Sequence, residues 1–215
     1  MPRIGLYELG RVKVAVWRID ETESELLSVL PQEYSGEIFS MKSAVRRLEW
    51  LAVRVLLADI FGQEARIVYN SAGKPLLDGA ALHIGISHTK GYAVLAFSES
   101  PFGVDAELLD RNILSIAGRL CSCSEEPFLD DAGANGRLLL KWCACEAMFK
   151  LVGNLGGTYR DNVVVSPPGL SGCGSFPVSL RGVVSSLGRD YTADYLETGG
   201  LLLVVCTPLG DPVSS

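Results

Sequence analysis

The chain is short of positive charge. Its 19 Lys and Arg residues are outnumbered by 25 Asp and Glu, giving a formal net charge of −6 over 215 residues. Nucleic acid, which is held through many phosphate contacts by an excess of basic side chains, is therefore excluded as the main partner. Histidine is scarcer still: there are only His83 and His88, and neither adjoins a cysteine pair. Cys121 and Cys123, like Cys143 and Cys145, are separated by one residue, where zinc sites usually place two. No secretory signal is evident at Met1, so these four and Cys173 and Cys206 are expected as reduced, mostly buried thiols. The apolar run Leu201 to Cys206 falls far short of a membrane span. The expectation is a cytoplasmic protein with no membrane partner.

Aliphatic residues are plentiful and charge is moderate, so the chain is globular, with enough length for one large or two small domains. The pattern alternates between helix and strand. Val12 to Ile19 reads as a strand, and Thr22 to Leu30 as a short helix with Glu25 completing a capping box on Thr22. Lys42 to Phe61 predicts a long amphipathic helix with Val45, Leu48, Ala52, Val55, Leu56 and Ile60 as its apolar stripe, stopped by Gly62. Arg66 to Tyr69 reads as a strand, Leu82 to Ser87 and Tyr92 to Phe97 as a hairpin, and Phe102 to Glu107 as the next strand. Helices follow at Ile113 to Leu120 and Leu138 to Val152, with a turn-rich loop at Asp130 to Gly136. Strands are expected at Asn162 to Val165, Val178 to Ser185, Tyr191 to Leu196 and Leu201 to Cys206. A loop is expected at Ser166 to Pro177 and a frayed tail after Pro208. No exact internal repeat is present.

Two stretches carry the chemistry. Asp105 and Glu107, two apart in a strand, project to one face, while Val104 and Ala106 face the other way. Glu146 and Lys150, four apart, share one face of a helix. Three carboxylates and a lysine can thus converge. Carboxylate oxygens suit magnesium, which is usually held by few protein ligands together with substrate phosphates. Taken singly, each feature also reads as a solvated strand end or a surface ion pair.

Four segments in order change that balance. They are Asn70-Ser71-Ala72-Gly73-Lys74-Pro75, Ile86-Ser87-His88-Thr89, Gly103-Val104-Asp105-Ala106-Glu107, and the helix from Trp142 through Glu146 to Lys150. Together, over about half the chain, they resemble the 4'-phosphopantetheinyl transferases, specifically the large pseudo-dimeric type that activates surfactin synthetase. The resemblance departs at Cys145, where that family usually has Lys.

The resemblance implies an α+β fold of two similar α/β subdomains about a pseudo-twofold axis, with the active site in the cleft between them. Residues 1–100 would carry the coenzyme A nucleotide contacts, and residues 101–215 the metal site and catalytic helix. It also implies transfer of 4'-phosphopantetheine from coenzyme A to a serine of an apo acyl or peptidyl carrier protein, with release of 3',5'-ADP, by a holo-acyl-carrier-protein synthase type of enzyme. The implied metal ligands are Asp105, Glu107 and Glu146, holding Mg2+ or Mn2+. Glu146 and Lys150 are the implied catalytic residues. Arg54, Lys74, Pro75, Ser87, His88 and Thr89 are the implied coenzyme A contacts. Arg46 and Arg47 are candidates for a local positive site, with solvated helix charges as the default reading. A monomer is expected, since a two-half chain completes its own cleft. The competing expectation is a weak or inactive coenzyme A-binding homologue, for which Cys145 is the motive.

Overall fold

The computed structural model describes residues 3–121, 133–153, 157–165, 167–181 and 190–210. The chain separates into two compact units. The first comprises Met1–Glu8 and Val12–Glu99; the second comprises Leu9–Arg11 and Ser100–Ser215. Each is an α+β unit with one sheet and one long helix.

The first unit runs β1 (Arg3–Leu9), β2 (Val12–Arg18), α1 (Glu23–Ser28), α2 (Tyr34–Ile38), α3 (Ala44–Phe61), β3 (Ile67–Tyr69), β4 (Pro75–Leu77), β5 (His83–Thr89) and β6 (Tyr92–Ser98). Its sheet order is β1-β2-β6-β5-β4-β3. The capping box at α1 forms: Thr22 Oγ1 accepts from the Glu25 amide, and Glu25 Oε2 accepts from the Thr22 amide at 2.8 Å. Ser43 caps α3 by accepting from the Arg46 amide. The middle of α3, Leu51 to Leu57, is buried all round, whereas Val45 at its start is 61% exposed and not part of the core stripe. Ala15, Trp17, Ala93 and Leu95 meet α1, α2 and α3 in one core. The opposite face of the same strands, Val14, Val16, Val94 and Ala96, is equally buried. A sheet buried on both faces explains why β2 and β6 read as nearly continuous apolar runs. Three elements of this unit, β1, α2 and β4, are not anticipated in the sequence reading; α2 spans only five residues around a central glycine and shows no helical period.

The second unit runs β7 (Gly103–Leu108), a 3-10 turn (Leu114–Ile116), α4 (Ala117–Leu120), α5 (Ala134–Val152), α6 (Tyr159–Asn162), β8 (Val163–Val165), β9 (Cys173–Leu180), β10 (Tyr191–Thr198) and β11 (Leu201–Pro208). The sheet order is β7-β11-β10-β9-β8, with every described pairing antiparallel. Two boundaries correct the sequence reading. Ala134 to Gly136, read as loop, form the first turn of α5; residues 130–132 of that stretch lie outside the described residues. Asn135 is held there by accepting from the Ile113 amide and donating to the Arg111 carbonyl, both at 3.0 Å. Gly136 leaves room for the Leu170 side chain. The expected loop up to Pro177 also ends early, because β9 pairs with β10 from Cys173 onward. Of the strand expected at Val178 to Ser185, residues 182–185 lie outside the described residues, as does the tail from 211.

Candidate active site

In the first unit the Asn70–Pro75 segment is built by turn chemistry. The Asn70 side-chain oxygen accepts from the amides of Ala72 and Lys74, at 3.0 and 2.9 Å. Gly73 sits at φ +76°, a left-handed conformation that side chains with a Cβ resist. Pro75 then opens β4 opposite Tyr69. Most of the motif is thus a device that presents Lys74. That lysine is half-buried, and desolvation pulls its pKa below the usual ammonium range. His83 lies close enough that burial, with the Lys74 charge, also lowers its pKa.

Arg54 is buried in α3. Its guanidinium lies 3.6 Å from the Trp50 ring centroid, and its only hydrogen bonds among the described residues are two long ones, at 3.5 Å, to the Trp50 carbonyl and the Tyr69 hydroxyl. No carboxylate pairs with it among the described residues. A buried cation without a counter-ion is costly unless a ligand supplies the charge.

His88 and its neighbours separate by strand alternation. His88 pairs across the strand with Ala93, on the face covered by α3, whereas Ser87 and Thr89 pair with Val94 and Tyr92 and lie on the other face. The structure therefore does not bring these three side chains together. Instead, Arg46 Nη1 donates to His88 Nε2 at 2.7 Å. Glu49 Oε2 lies 3.5 Å from Arg46 Nη1 and 3.7 Å from His88 Nδ1. Arg47 serves elsewhere, donating to Glu23 Oε2 at 2.7 Å and to the Met41 carbonyl at 2.8 Å, and so tying α3 to α1.

In the second unit, register decides which way the acidic strand faces. Gly103, Asp105 and Glu107 pair with Cys206, Val204 and Leu202, the face of β11 that lies under α5. Gly103 permits the helix to approach: a Cβ there would come within 1.8 Å of the Ala147 carbonyl oxygen. On α5, Trp142, Glu146 and Lys150 recur every four residues and share a face. Lys150 Nζ donates to Asp105 Oδ1 at 2.8 Å and to the Val104 carbonyl at 2.9 Å. Glu107 pairs with Arg111 and accepts from Trp142 Nε1 at 3.3 Å. Glu146 accepts from the Tyr159 hydroxyl at 2.8 Å. Burial raises the Glu146 pKa despite that hydrogen bond, and Asp105 adds to the rise. Burial and the Glu146 carboxylate together raise the Tyr159 pKa, so the phenol stays protonated. Cys143, fully buried beside Asp105, is likewise held as a thiol, chiefly by desolvation.

Glu49, Arg111, Tyr159 and the indole of Trp142 contact the candidate site residues, though the sequence reading did not assign them. Glu49 left a signal, an acid three residues before Ala52 and seven before Leu56, inside the apolar stripe. Trp142 left one too, four residues ahead of Glu146. Arg111 and Tyr159 left none, since chain reversals bring them in. Cys145 is fully buried in the core of the second unit, so the departure from the family pattern falls on a packing position.

No protein-family model matches the chain. Two relatives align with nearly all of it. The 4'-phosphopantetheinyl transferase AcpT of Salmonella typhimurium is 27% identical over 207 residues, which is 94% of this chain and 93% of the relative. The protein of the same name from Salmonella typhi is 25% identical over the same shares. A two-unit α+β chain with a cationic cluster and a carboxylate cluster is a candidate for phosphate-group chemistry. The full-length similarity supports a relation to the 4'-phosphopantetheinyl transferase superfamily. No helix among the described residues is long and apolar enough to cross a membrane.

Proposed function

We propose that the protein transfers the 4'-phosphopantetheine group of coenzyme A to a serine of an apo acyl or peptidyl carrier protein, as a single-chain, two-unit enzyme of the pseudo-dimeric type. The observation that carries this reading is the register of β7, which turns Asp105 and Glu107 toward the α5 face bearing Glu146 and Lys150. The first unit contributes binding groups. Arg54 lacks a protein counter-ion among the described residues and suits a terminal phosphate, while Lys74 and the Arg46–His88 pair suit the remaining phosphates.

The family implies a divalent cation. The donor chemistry of Asp105, Glu107 and Glu146 fits magnesium, since all are hard carboxylate oxygens. Among the described residues no three such side chains stand grouped as a metal site, and each of these three has a protein partner: Lys150, Arg111 and Tyr159. An ion held by these residues would therefore enter by exchange with Arg111 and Tyr159. When bound, it would neutralise pyrophosphate charge and the developing charge of the leaving group.

The residues themselves do the following. Glu146 takes the proton from the carrier serine hydroxyl. The serine oxygen forms a bond to the pantetheine-side phosphorus as the bond to the bridging oxygen breaks. The electron pair leaves with 3',5'-ADP. Before an ion binds, Tyr159 holds the Glu146 carboxylate, and Lys150 holds Asp105 in place. Incubation with coenzyme A, magnesium and a panel of apo carrier proteins should add the mass of phosphopantetheine to at least one carrier. Failure with every carrier, or undiminished transfer in chelator, would refute the proposal.

A further inference from the structure

Glu49 is a carboxylate in the apolar stripe of α3, and its residue is 8% exposed. Its Oε2 atom is buried and has no hydrogen bond among the described residues. The atom's nearest donors are Arg46 Nη1 at 3.5 Å and His88 Nδ1 at 3.7 Å, close but beyond a formed hydrogen bond. A guanidinium can only donate, so the 2.7 Å contact from Arg46 makes His88 Nε2 an acceptor. The neutral ring then carries its proton on Nδ1, toward Glu49. Both side chains are accessible, Arg46 at 64% and His88 at 36% exposure.

We infer that Glu49 is a positioning residue that holds Arg46 and His88 as an anion-receiving pair and supplies the counter-charge that lets His88 bind phosphate as an imidazolium. The mechanism is an exchange of donors. In the ligand-free protein Arg46 spends one N–H on His88 Nε2. An arriving phosphate oxygen takes that N–H, and Nε2, relieved of its donor, takes a proton from solvent and donates to the same anion. The imidazolium's Nδ1–H is then opposed by Glu49, whose buried oxygen gains the hydrogen bond it lacked. Among the described residues, the charged groups paired with the ring are Arg46 and Glu49 of α3. On the strand side its partner is Ala93, and the pairing of β5 with β4 is at His83. This inference deepens the coenzyme A reading and rests on it for the identity of the anion, but not for the geometry.

With only two histidines, 15N-histidine labelling gives a spectrum that the His88→Gln variant assigns at once. Without ligand at pH 8, His88 should be the Nδ1–H tautomer, the minor form of free imidazole. Adding inorganic pyrophosphate should convert it to the doubly protonated form, and coenzyme A should do the same. Glu49→Gln, which keeps the shape and removes the charge, should leave His88 neutral on binding. It should also weaken both ligands about tenfold. An Nε2–H tautomer in the free protein, or full protonation and unchanged affinity in Glu49→Gln, would overturn the role of Glu49. A response to pyrophosphate without binding of coenzyme A would sustain the anion site and refute the coenzyme A reading.

Discussion

The two units carry their charges in opposite ways. In the first, cations dominate the candidate site, and Arg54 is buried with no carboxylate beside it among the described residues. In the second, carboxylates dominate, and each is already matched: Asp105 by Lys150, Glu107 by Arg111 and Trp142, Glu146 by Tyr159. An unmatched buried charge marks a place where a ligand supplies the missing sign. A matched network marks side chains whose orientation is set before the ligand arrives. On this contrast, the proposed reading assigns affinity to the first unit and turnover to the second.

The largest effect tests the second half of that assignment. Glu146→Gln keeps the acceptor for Tyr159 but removes the proposed base. It should lower kcat by about 10²–10⁴-fold, with KM for coenzyme A little changed. Steady-state transfer to a carrier protein reads both constants. A rise in KM with unchanged kcat would move Glu146 to the binding side and collapse the contrast.

Next in size is the support of the acidic strand. Gly103→Ala places a Cβ against the Ala147 carbonyl, a backbone atom that cannot yield as a side-chain end would. Overpacking of this kind costs about 2–3 kcal/mol, and it would push β7 away from α5. Chemical denaturation should show the loss. A stability within error of wild type would mean that the helix seat is looser than the geometry requires.

How far these features were legible depended on the period that produced them. Asp105 with Glu107, and Trp142, Glu146 and Lys150 on their helix, follow the strand period of two and the helix spacing of four, so one line of sequence places them. The same strand period separates His88 from Ser87 and Thr89, a division that the motif as a string of letters conceals. Glu49 was readable as a misplaced acid in an apolar stripe. Arg111 and Tyr159 were not, because their positions depend on Asn135 pinning the segment before α4 and on the chain turning back after α5. The start of β9 was hidden by Gly172, Gly174 and Pro177, which read as loop until the pairing with β10 is seen. The capping box on Thr22 and the hairpin of β5 with β6 formed where local chemistry placed them.

The binding half of the contrast is sharpened by a smaller effect. Wild-type protein should prefer coenzyme A to its 3'-dephospho form at least tenfold, about 1.4 kcal/mol. Arg54→Gln should erase most of that preference and raise KM for coenzyme A by about the same factor without lowering kcat. Calorimetry with the two ligands gives the preference directly. Equal affinities in the wild type would show that the buried guanidinium serves the Trp50 and Tyr69 packing alone.

The smallest effect concerns pH and follows from Glu146 again. Burial raises its pKa in the folded state above the ordinary carboxylate value. Such a group favours the folded state most fully below its unfolded pKa, where it is protonated in both states. That contribution is lost as pH rises through the raised folded value, because the ionised form must then be kept in a partly dehydrated place. Glu146→Gln, neutral at every pH, escapes the loss. The variant should therefore gain stability relative to wild type above that pKa, by roughly 0.5 kcal/mol once solvent screening of the partly exposed side chain is allowed for. The gain should vanish in acid. Activity should run the other way, with wild-type kcat/KM falling in acid, since in the proposed mechanism only the ionised carboxylate accepts the serine proton. Thermal unfolding of the pair from pH 4 to pH 8 measures the first trend, and the pH profile of transfer measures the second. A Glu146→Gln protein less stable than wild type at pH 8 would mean that the Tyr159 hydrogen bond outweighs burial, and that the carboxylate is held as a structural anion rather than kept as a base.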